Sequence, residues 1–231
     1  MDSGLSISLE QVLVPLILSL KVAGTATLFS TIFGVSVALL AARKKFWGKE
    51  ILDAVMTLPV VLPPTVLGYY LLVLLGRNGP IGGWLQETFS ITLIFTWQGA
   101  VIAASVVAFP LVYKSSRAAF ESVSGKFEDA ARVLGQSEFM VFVRVTLPLA
   151  WRGILAGAML SFARALGEFG ATLMVAGSLP GKTQTLSIAV YEAVQSGDDY
   201  VANFLVIITS IVCVVVLLAS NYFLRPKYVS E

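Results

Sequence analysis

Long apolar stretches, separated by short polar segments, dominate this chain. A helix needs about 20 apolar residues to cross the hydrocarbon core of a bilayer. Five stretches reach that length, and they predict five membrane-spanning helices over residues 9–42, 51–75, 91–113, 153–175 and 201–224. The first is longer than a bilayer requires, which indicates a tilted helix or one that begins at the membrane surface. The pattern therefore predicts an all-α integral membrane protein, with one domain over residues 1–231.

Composition agrees with this pattern and excludes several kinds of chemistry. Hydrophobic residues make up 57% of the chain and charged residues 13%, whereas roughly a quarter of an average soluble domain is charged. The chain has no histidine, which excludes histidine metal sites, histidine proton relays and Ser-His-Asp catalysis. Its one cysteine, Cys213, cannot form a disulfide within the chain. We expect no metal site and no catalytic residue here.

The basic residues predict the orientation in the membrane. Twelve of the 16 Lys and Arg residues follow the first, third or fifth stretch, and only Arg77 and Lys182 lie in the other connections. Lys21 and Arg164 lie inside apolar stretches. Because connections rich in Lys and Arg stay in the cytoplasm, we expect the N-terminus outside, the C-terminus inside, and residues 114–152 in the cytoplasm.

The predicted cytoplasmic segment has a helical apolar pattern. The residues that recur at this spacing are Phe120, Val123, Phe127, Ala131 and Leu134. A short amphipathic helix below the membrane could press this face into a groove on a cytoplasmic partner. The pattern alone equally allows a loop that lies along the lipid surface.

One motif in this segment favours the partner. Asp129-Ala130-Ala131 is followed after three residues by Gly135, and nine residues later by Val145-Thr146-Leu147-Pro148. This spacing resembles the EAA motif of permease subunits from ABC-type importers, with Asp for Glu and Val for Ile. The resemblance implies a type I ABC importer permease fold and a coupling loop that docks on a separate ATPase. The coupling residues that it implies are Glu128, Asp129, Ala130, Ala131, Gly135, Leu147 and Pro148.

Further segments resemble the molybdate branch of that family. They are Leu58 to Tyr69, Leu75 to Gly82 and Arg164 to Thr172. The short chain also suits that branch, since related sulfate permeases are generally longer, although some members have a further N-terminal helix. The resemblance implies a homodimer in the lipid of the cell membrane, with a cytoplasmic ABC ATPase dimer and an extracytoplasmic oxyanion-binding protein. It implies no cofactor on this chain, ATP and Mg²⁺ used by the ATPase, and no nucleic acid. Tungstate and sulfate are alternative cargoes.

Three prolines in the second stretch indicate a substrate pathway. Pro59, Pro63 and Pro64 each remove an amide donor, and broken helices often mark the substrate site of transporters. Pro63, Pro64 and Thr65 are therefore candidate pathway residues, with a simple packing kink as the alternative.

Arg164 and Glu168 complete the candidate pathway residues. They stand four residues apart, so on a continuous helix they would share one face. A buried ion pair that locks the fourth helix is the favoured interpretation, and contact of Arg164 with a passing dianion is the other. Gly153, Gly157, Ser161 and Ala165 form a stripe of small residues on the same stretch. This stripe suits close packing within one subunit or at a dimer seam.

Two functions of other classes compete with the permease. A membrane-embedded enzyme would need clustered Asp, Glu or His ligands, which the apolar stretches lack. A channel or scaffold without an ATPase would need no coupling motif. Residues 176–183 match a loose phosphate-loop pattern, but they follow an apolar stretch rather than a strand. We therefore expect ATP hydrolysis on another chain.

Overall fold

The computed structural model describes residues 9–43 and 46–224, and every regular element in those ranges is a helix. The helices are α1 (Leu9–Arg43), α2 (Lys49–Val61), α3 (Pro64–Leu75), α4 (Pro80–Phe89), α5 (Trp97–Ser122), α6 (Gly125–Val133), α7 (Glu138–Val141), a π-turn (Phe142–Thr146), α8 (Leu147–Leu166), α9 (Gly170–Ala176), α10 (Leu186–Gln195) and α11 (Asp199–Leu224). Lys44, Lys45, Arg225 and Lys227, which contribute to the predicted orientation, lie outside the described residues.

Four helical segments of the described chain are long and apolar enough to cross a membrane. They are α1, α5, the continuous run Glu138–Leu166 and α11, and a fifth candidate exists if α2 and α3 form one bent span. The predicted first and fifth stretches are confirmed as α1 and α11, with bounds that differ by at most two residues.

The second stretch is a helix pair rather than one helix. α2 ends at Val61, α3 begins at Pro64, and their axes bend by 111°. At 1.5 Å per residue, helices of 13 and 12 residues with this bend reach only about 20 Å end to end. That is shorter than the hydrocarbon core, which is about 30 Å thick. The break follows from Pro63 and Pro64, whereas Pro59 is accommodated inside α2.

The predicted bounds of the third stretch are wrong, because apolar content alone does not fix where a helix begins or ends. Residues 91–95 are apolar except for Thr92, yet none of them is helical, and Phe95 has a left-handed φ of 59°. The helix begins only after Thr96, whose Oγ1 accepts a hydrogen bond from the Gly99 amide at 3.1 Å. At its other end, α5 continues as an amphipathic helix to Ser122.

The fourth stretch is also not one helix. Helix continues from Glu138 through the π-turn into α8, ends at Leu166, and resumes as the short α9 at Gly170. Two short helices, α4 and α10, were not predicted at all. Each has only ten residues, which is too short for a spanning pattern.

α5 forms the centre of the bundle. Apolar clusters join Ala100 and Val101 of α5 to Val22 of α1, and Phe120 of α5 to Ala38 of α1. α1 and α5 therefore run in the same direction, so the chain between them must return. α11 also runs parallel to α1, since Leu205 clusters with Val12, and Val212 packs in the cluster around Val22.

α8 packs against α5 in the opposite direction, through the stripe of small residues. A Cβ on Gly153 would lie 2.5 Å from Ala119 Cβ, and one on Gly157 would lie 2.8 Å from Ser115 Cβ. The stripe thus serves packing within the subunit.

One end of the bundle carries most of its described basic residues, and we call it the basic end. Ion pairs there hold α2, in which no residue is buried, against α5. Asp53 accepts from Arg117 at 2.5 Å and lies 3.5 Å from Lys114, while Glu121 pairs with Arg117 at 2.9 Å and Lys49 at 3.7 Å.

Candidate functional site

The predicted coupling loop lies at the basic end and is mostly helical. Within residues 114–152, the structure places the end of α5, then α6, α7, the π-turn and the start of α8. Only short connections at 123–124 and 134–137 are non-helical. The segment is therefore a chain of short helices that starts and ends on long ones.

The predicted apolar face of this segment is not a single surface. Phe120, Val123 and Ala131 are buried against the bundle, whereas Phe127 and Leu134 are 59% and 79% exposed. The predicted face combined residues from α5 with residues from α6, whose axes differ, so their spacing did not add up to one stripe. The most exposed large apolar residues of the segment are Phe127, Val133, Leu134 and Phe139, and we call them the exposed apolar patch.

The motif residues divide in the same way. Glu128 and Ala131 are buried, while Asp129, Ala130 and Gly135 are exposed. Gly135 has φ 79°, and a Cβ there would meet no atom within 4 Å. It ends α6 with a left-handed turn in which the Gly135 amide donates to Arg132 and the Gln136 amide donates to Ala131.

Arg132 links the two short helices on the exposed side. It donates to Asp129 at 2.7 Å and to both carboxylate oxygens of Glu138 at 2.7 and 3.1 Å. Hydrogen bonds to Glu138, and then to Asp129, raise the pKa of Arg132 above its ordinary value. The link therefore remains charged at any physiological pH.

Leu147 and Pro148 begin α8 directly after the π-turn. Leu147 is half-buried, Pro148 is exposed, and the Leu147 amide donates to the Phe142 carbonyl five residues earlier. Leu147 and Pro148 therefore belong to the helix that leads into the bundle, and not to the short helices α6 and α7.

The candidate pathway residues Pro63, Pro64 and Thr65 lie where two broken helices meet. Gly170 starts α9 against the start of α3: a Cβ on Gly170 would lie 3.2 Å from Pro64 Cβ and 3.4 Å from the Thr65 nitrogen. Further along, a Cβ on Gly68 would lie 2.7 Å from Met174 Cβ. The two half-helices thus pack closely, with their N-termini side by side.

Arg164 and Glu168 form the predicted ion pair, but not on one helix face. α8 ends at Leu166, so Glu168 lies in the break that precedes α9. Its Oε2 lies 2.7 Å from Arg164 Nη1, and its Oε1 accepts from the Ala171 amide at 2.9 Å. The Glu168 side chain is 1% exposed and that of Arg164 is 35% exposed. Glu168 therefore neutralises the arginine and caps α9.

The partners of Glu128 were not predictable from the sequence. Its carboxylate accepts from Arg43 of α1 and from Thr146 of the π-turn. No local spacing connects residues that are 85 and 18 positions apart.

Known proteins resemble this chain along most of its length. It is 47% identical over 210 residues to the molybdenum transport system permease protein ModB of Escherichia coli K12, covering 90% of this chain and 92% of that protein. It is 43% identical over 223 residues to the putative molybdenum transport system permease protein YvgM of Bacillus subtilis 168, covering 96% of each. It is 36% identical over 173 residues to the sulfate transport system permease protein CysT of Escherichia coli K12, covering 75% of this chain and 62% of that protein.

Solved structures confirm an ABC transporter permease fold. The inward-facing MetNI methionine ABC transporter has a chain that matches with a TM-score of 0.74 at 16% identity, covering 93% of this chain and 94% of that one. A chain of a bacterial alginate ABC transporter matches with a TM-score of 0.74, also at 16% identity, and the match covers 94% of this chain and 80% of that one. Residues 30–230 match the protein family described as "Binding-protein-dependent transport system inner membrane component". The chain therefore belongs to that family of membrane permeases.

Proposed function

We propose that this permease forms the membrane pathway of an ATP-driven importer for molybdate. Two copies of the chain would work with two cytoplasmic ATPase subunits and an extracytoplasmic oxyanion-binding protein. The observation that carries the substrate is the 43–47% identity to molybdenum permeases, along nine tenths or more of both chains. Sulfate is the second candidate, because a sulfate permease matches at 36%. Tungstate is a further candidate, since it shares the tetrahedral dianion shape.

The direction of the helices supports five crossings with the basic end in the cytoplasm. Because α1, α5 and α11 run parallel, the chain must return twice. It returns through residues 46–96, of which the bent pair α2 and α3 is only a part, and through the segment containing α8. From Lys21 to Arg43, α1 rises about 33 Å, and from Trp97 to Arg117, α5 rises about 30 Å, close to the hydrocarbon thickness. Lys21 Nζ lies 3.6 Å from the Trp97 ring centroid. This pairing suits the membrane–water interface on the outer face of the membrane.

Impermeant thiol labelling tests this orientation in a Cys213→Ala background. Thr88→Cys in α4 should react in intact cells, and Lys126→Cys in α6 should react only after the membrane is opened. Both positions are exposed. The reverse pattern would place the motif outside and contradict ATPase coupling.

The exposed apolar patch is the proposed ATPase contact. Phe127, Val133, Leu134 and Phe139 are between 59% and 88% exposed, which is costly in water unless a partner covers them. Asp129 and Ala130 of α6, and Gly135 just after it, are also exposed, while Leu147 and Pro148 begin α8. The permease itself would bind no cofactor and catalyse nothing, and ATP and Mg²⁺ would act on the ATPase.

The proposed anion pathway passes the contact between α3 and α9. Broken helices often line transporter sites. Pro63, Pro64 and Thr65 are exposed at the start of α3. Arg164, whose side chain is 35% exposed and paired with Glu168, is the candidate cation of this pathway.

Reconstituted uptake tests the function. We expect the permease to copurify with its ATPase and, in liposomes with the binding protein, to import radioactive molybdate only when ATP is inside. Unlabelled tungstate should compete more strongly than sulfate. Import of sulfate but not molybdate would establish the alternative cargo, and import without ATP would contradict the importer.

The docking surface has a matched pair of variants. Leu134→Asp adds one negative charge to the patch and should abolish ATPase copurification. Lys126→Gln changes net charge by the same amount on the same helix, outside the patch, and should leave copurification unchanged. Equal retention in both variants would contradict docking through this patch.

A further inference from the structure

Glu128 is buried in α6, whose other charged residues are exposed. Its exposed fraction is 4%, whereas the side chains of Asp129 and Arg132 are 74% and 41% exposed. Its Oε1 accepts hydrogen bonds from the Arg43 guanidinium and from the Thr146 hydroxyl. Arg43 is the last residue of α1, and Thr146 is the last residue of the π-turn that leads into α8. One carboxylate thus joins three helical elements.

Pro148 explains why Thr146 reaches this carboxylate. A proline has no amide hydrogen, and its ring crowds the carbonyl four residues earlier, here that of Arg144. The helix relieves this conflict by widening, so that the Leu147 amide bonds to the Phe142 carbonyl five residues back. One extra residue rotates a side chain by about 100° around the helix axis. The widened turn holds Thr146, 3% exposed, against Glu128.

The charges favour one arrangement of these elements. A buried carboxylate is strongly destabilising unless it is paired and hydrogen-bonded. Glu128 lies in the first turn of α6 and Arg43 in the last turn of α1, so each charge also suits the dipole of its own helix. Any movement of α6 away from α1 or α8 would deprive the buried carboxylate of one of its two partners.

We propose that Glu128 is a positioning residue that makes α6, α1 and α8 move as one unit. It does not contact the ATPase or the oxyanion. It passes the movement of the docked helix to two helices of the bundle at once. This inference rests on the proposed docking of α6 on the ATPase.

Uptake per ATP hydrolysed tests the coupling in the reconstituted complex. Glu128→Gln keeps the shape and loses the charge, and we expect it to retain ATPase copurification and hydrolysis while molybdate imported per ATP falls at least tenfold. Thr146→Val should show a smaller fall, and Thr146→Ser, which keeps the hydroxyl, should restore coupling. Glu121→Gln is the control, because Glu121 also pairs with an arginine but is 44% exposed.

Two results would overturn the proposal. One is Glu128→Gln with the normal ratio of import to hydrolysis. The other is a parallel loss of import, hydrolysis and copurification in Glu128→Gln, which would assign Glu128 a merely structural or docking role.

A distance measurement tests the proposal without substrate or ATPase, so it stands even if the wild-type protein imports no molybdate. Spin labels at Lys126→Cys in α6 and Leu28→Cys in α1, in a Cys213→Ala background, are placed on copies diluted with unlabelled protein in nanodiscs. We expect a narrow distribution of label-to-label distances in this background and in Glu121→Gln, and a broad distribution in Glu128→Gln. A narrow distance in Glu128→Gln would refute the proposal.

Discussion

Glu128 and Glu168 are both buried and both contact an arginine, but they organise the molecule over different ranges. The partners of Glu168, Arg164 and the Ala171 amide, lie within four residues of it along the chain. The partners of Glu128 come from 85 and 18 residues away. The local carboxylate shapes a helix break at the proposed pathway, whereas the long-range carboxylate joins helices at the basic end. The same residue type therefore has different consequences when it is removed.

Removal of Glu168 should have the largest effect. Glu168→Ala leaves the Ala171 amide without its acceptor and Arg164 without its counter-charge. We expect a cost of about 3 kcal/mol, the low end for a buried pair, because the Arg164 side chain is 35% exposed. We expect low yield and a lowered thermal unfolding temperature, with little uptake. Normal yield and uptake would show that neither contact matters.

A double variant separates the two roles of that pair. Arg164→Met with Glu168→Gln removes both charges and keeps an acceptor for Ala171. Recovery of assembly and uptake would confirm a structural pair, while recovery of assembly alone would mean that Arg164 contacts the oxyanion.

Gly68, at the contact between α3 and α9, should be the next most sensitive position. A Cβ on Gly68 would lie 2.7 Å from Met174 Cβ and 3.0 Å from Ala171 Cα, so Gly68→Ala should force α3 from α9 and destabilise by about 1–3 kcal/mol. Gly24 lies in α1 with nothing within 4 Å of its Cβ position. Gly24→Ala should therefore leave thermal unfolding unchanged or slightly improved. Equal unfolding temperatures for Gly68→Ala and Gly24→Ala would contradict the close contact between α3 and α9.

Gly135 tests backbone conformation at the basic end rather than space. Gly135→Val must hold a β-branched residue at φ 79°, at roughly 1–2 kcal/mol. We expect normal insertion with uptake reduced severalfold. Gly125 also has open space around its Cβ position but no positive φ, so Gly125→Val is the matched control. Normal uptake by Gly135→Val would show that the turn is dispensable.

The smallest effect should come from the exposed counterpart of Glu128. Glu138 pairs with Arg132 but its side chain is 75% exposed, and exposed ion pairs contribute little. We expect Glu138→Gln to leave the thermal unfolding temperature within measurement error, because Arg132 keeps Asp129. A large shift would mean that exposure does not separate the two carboxylates.

The sequence predicted the features that depend on local pattern. Length and hydropathy located α1 and α11, paired prolines predicted the break after α2, and a four-residue spacing predicted contact between Arg164 and Glu168. Gly135 likewise adopts a left-handed φ of 79°, which glycine favours. Each depends on residues close in sequence, where backbone sterics and side-chain reach act directly.

Only the tertiary structure decided which side of each element is covered. Phe127 and Leu134 share an apolar character with Phe120 and Ala131, yet the first two are exposed and the others are buried. The break at 167–169 and the joint of Glu128 with Arg43 and Thr146 were likewise invisible in the pattern. Hydropathy records how much surface a residue prefers to bury. It does not record which distant residue covers it, because that depends on how separate helices pack.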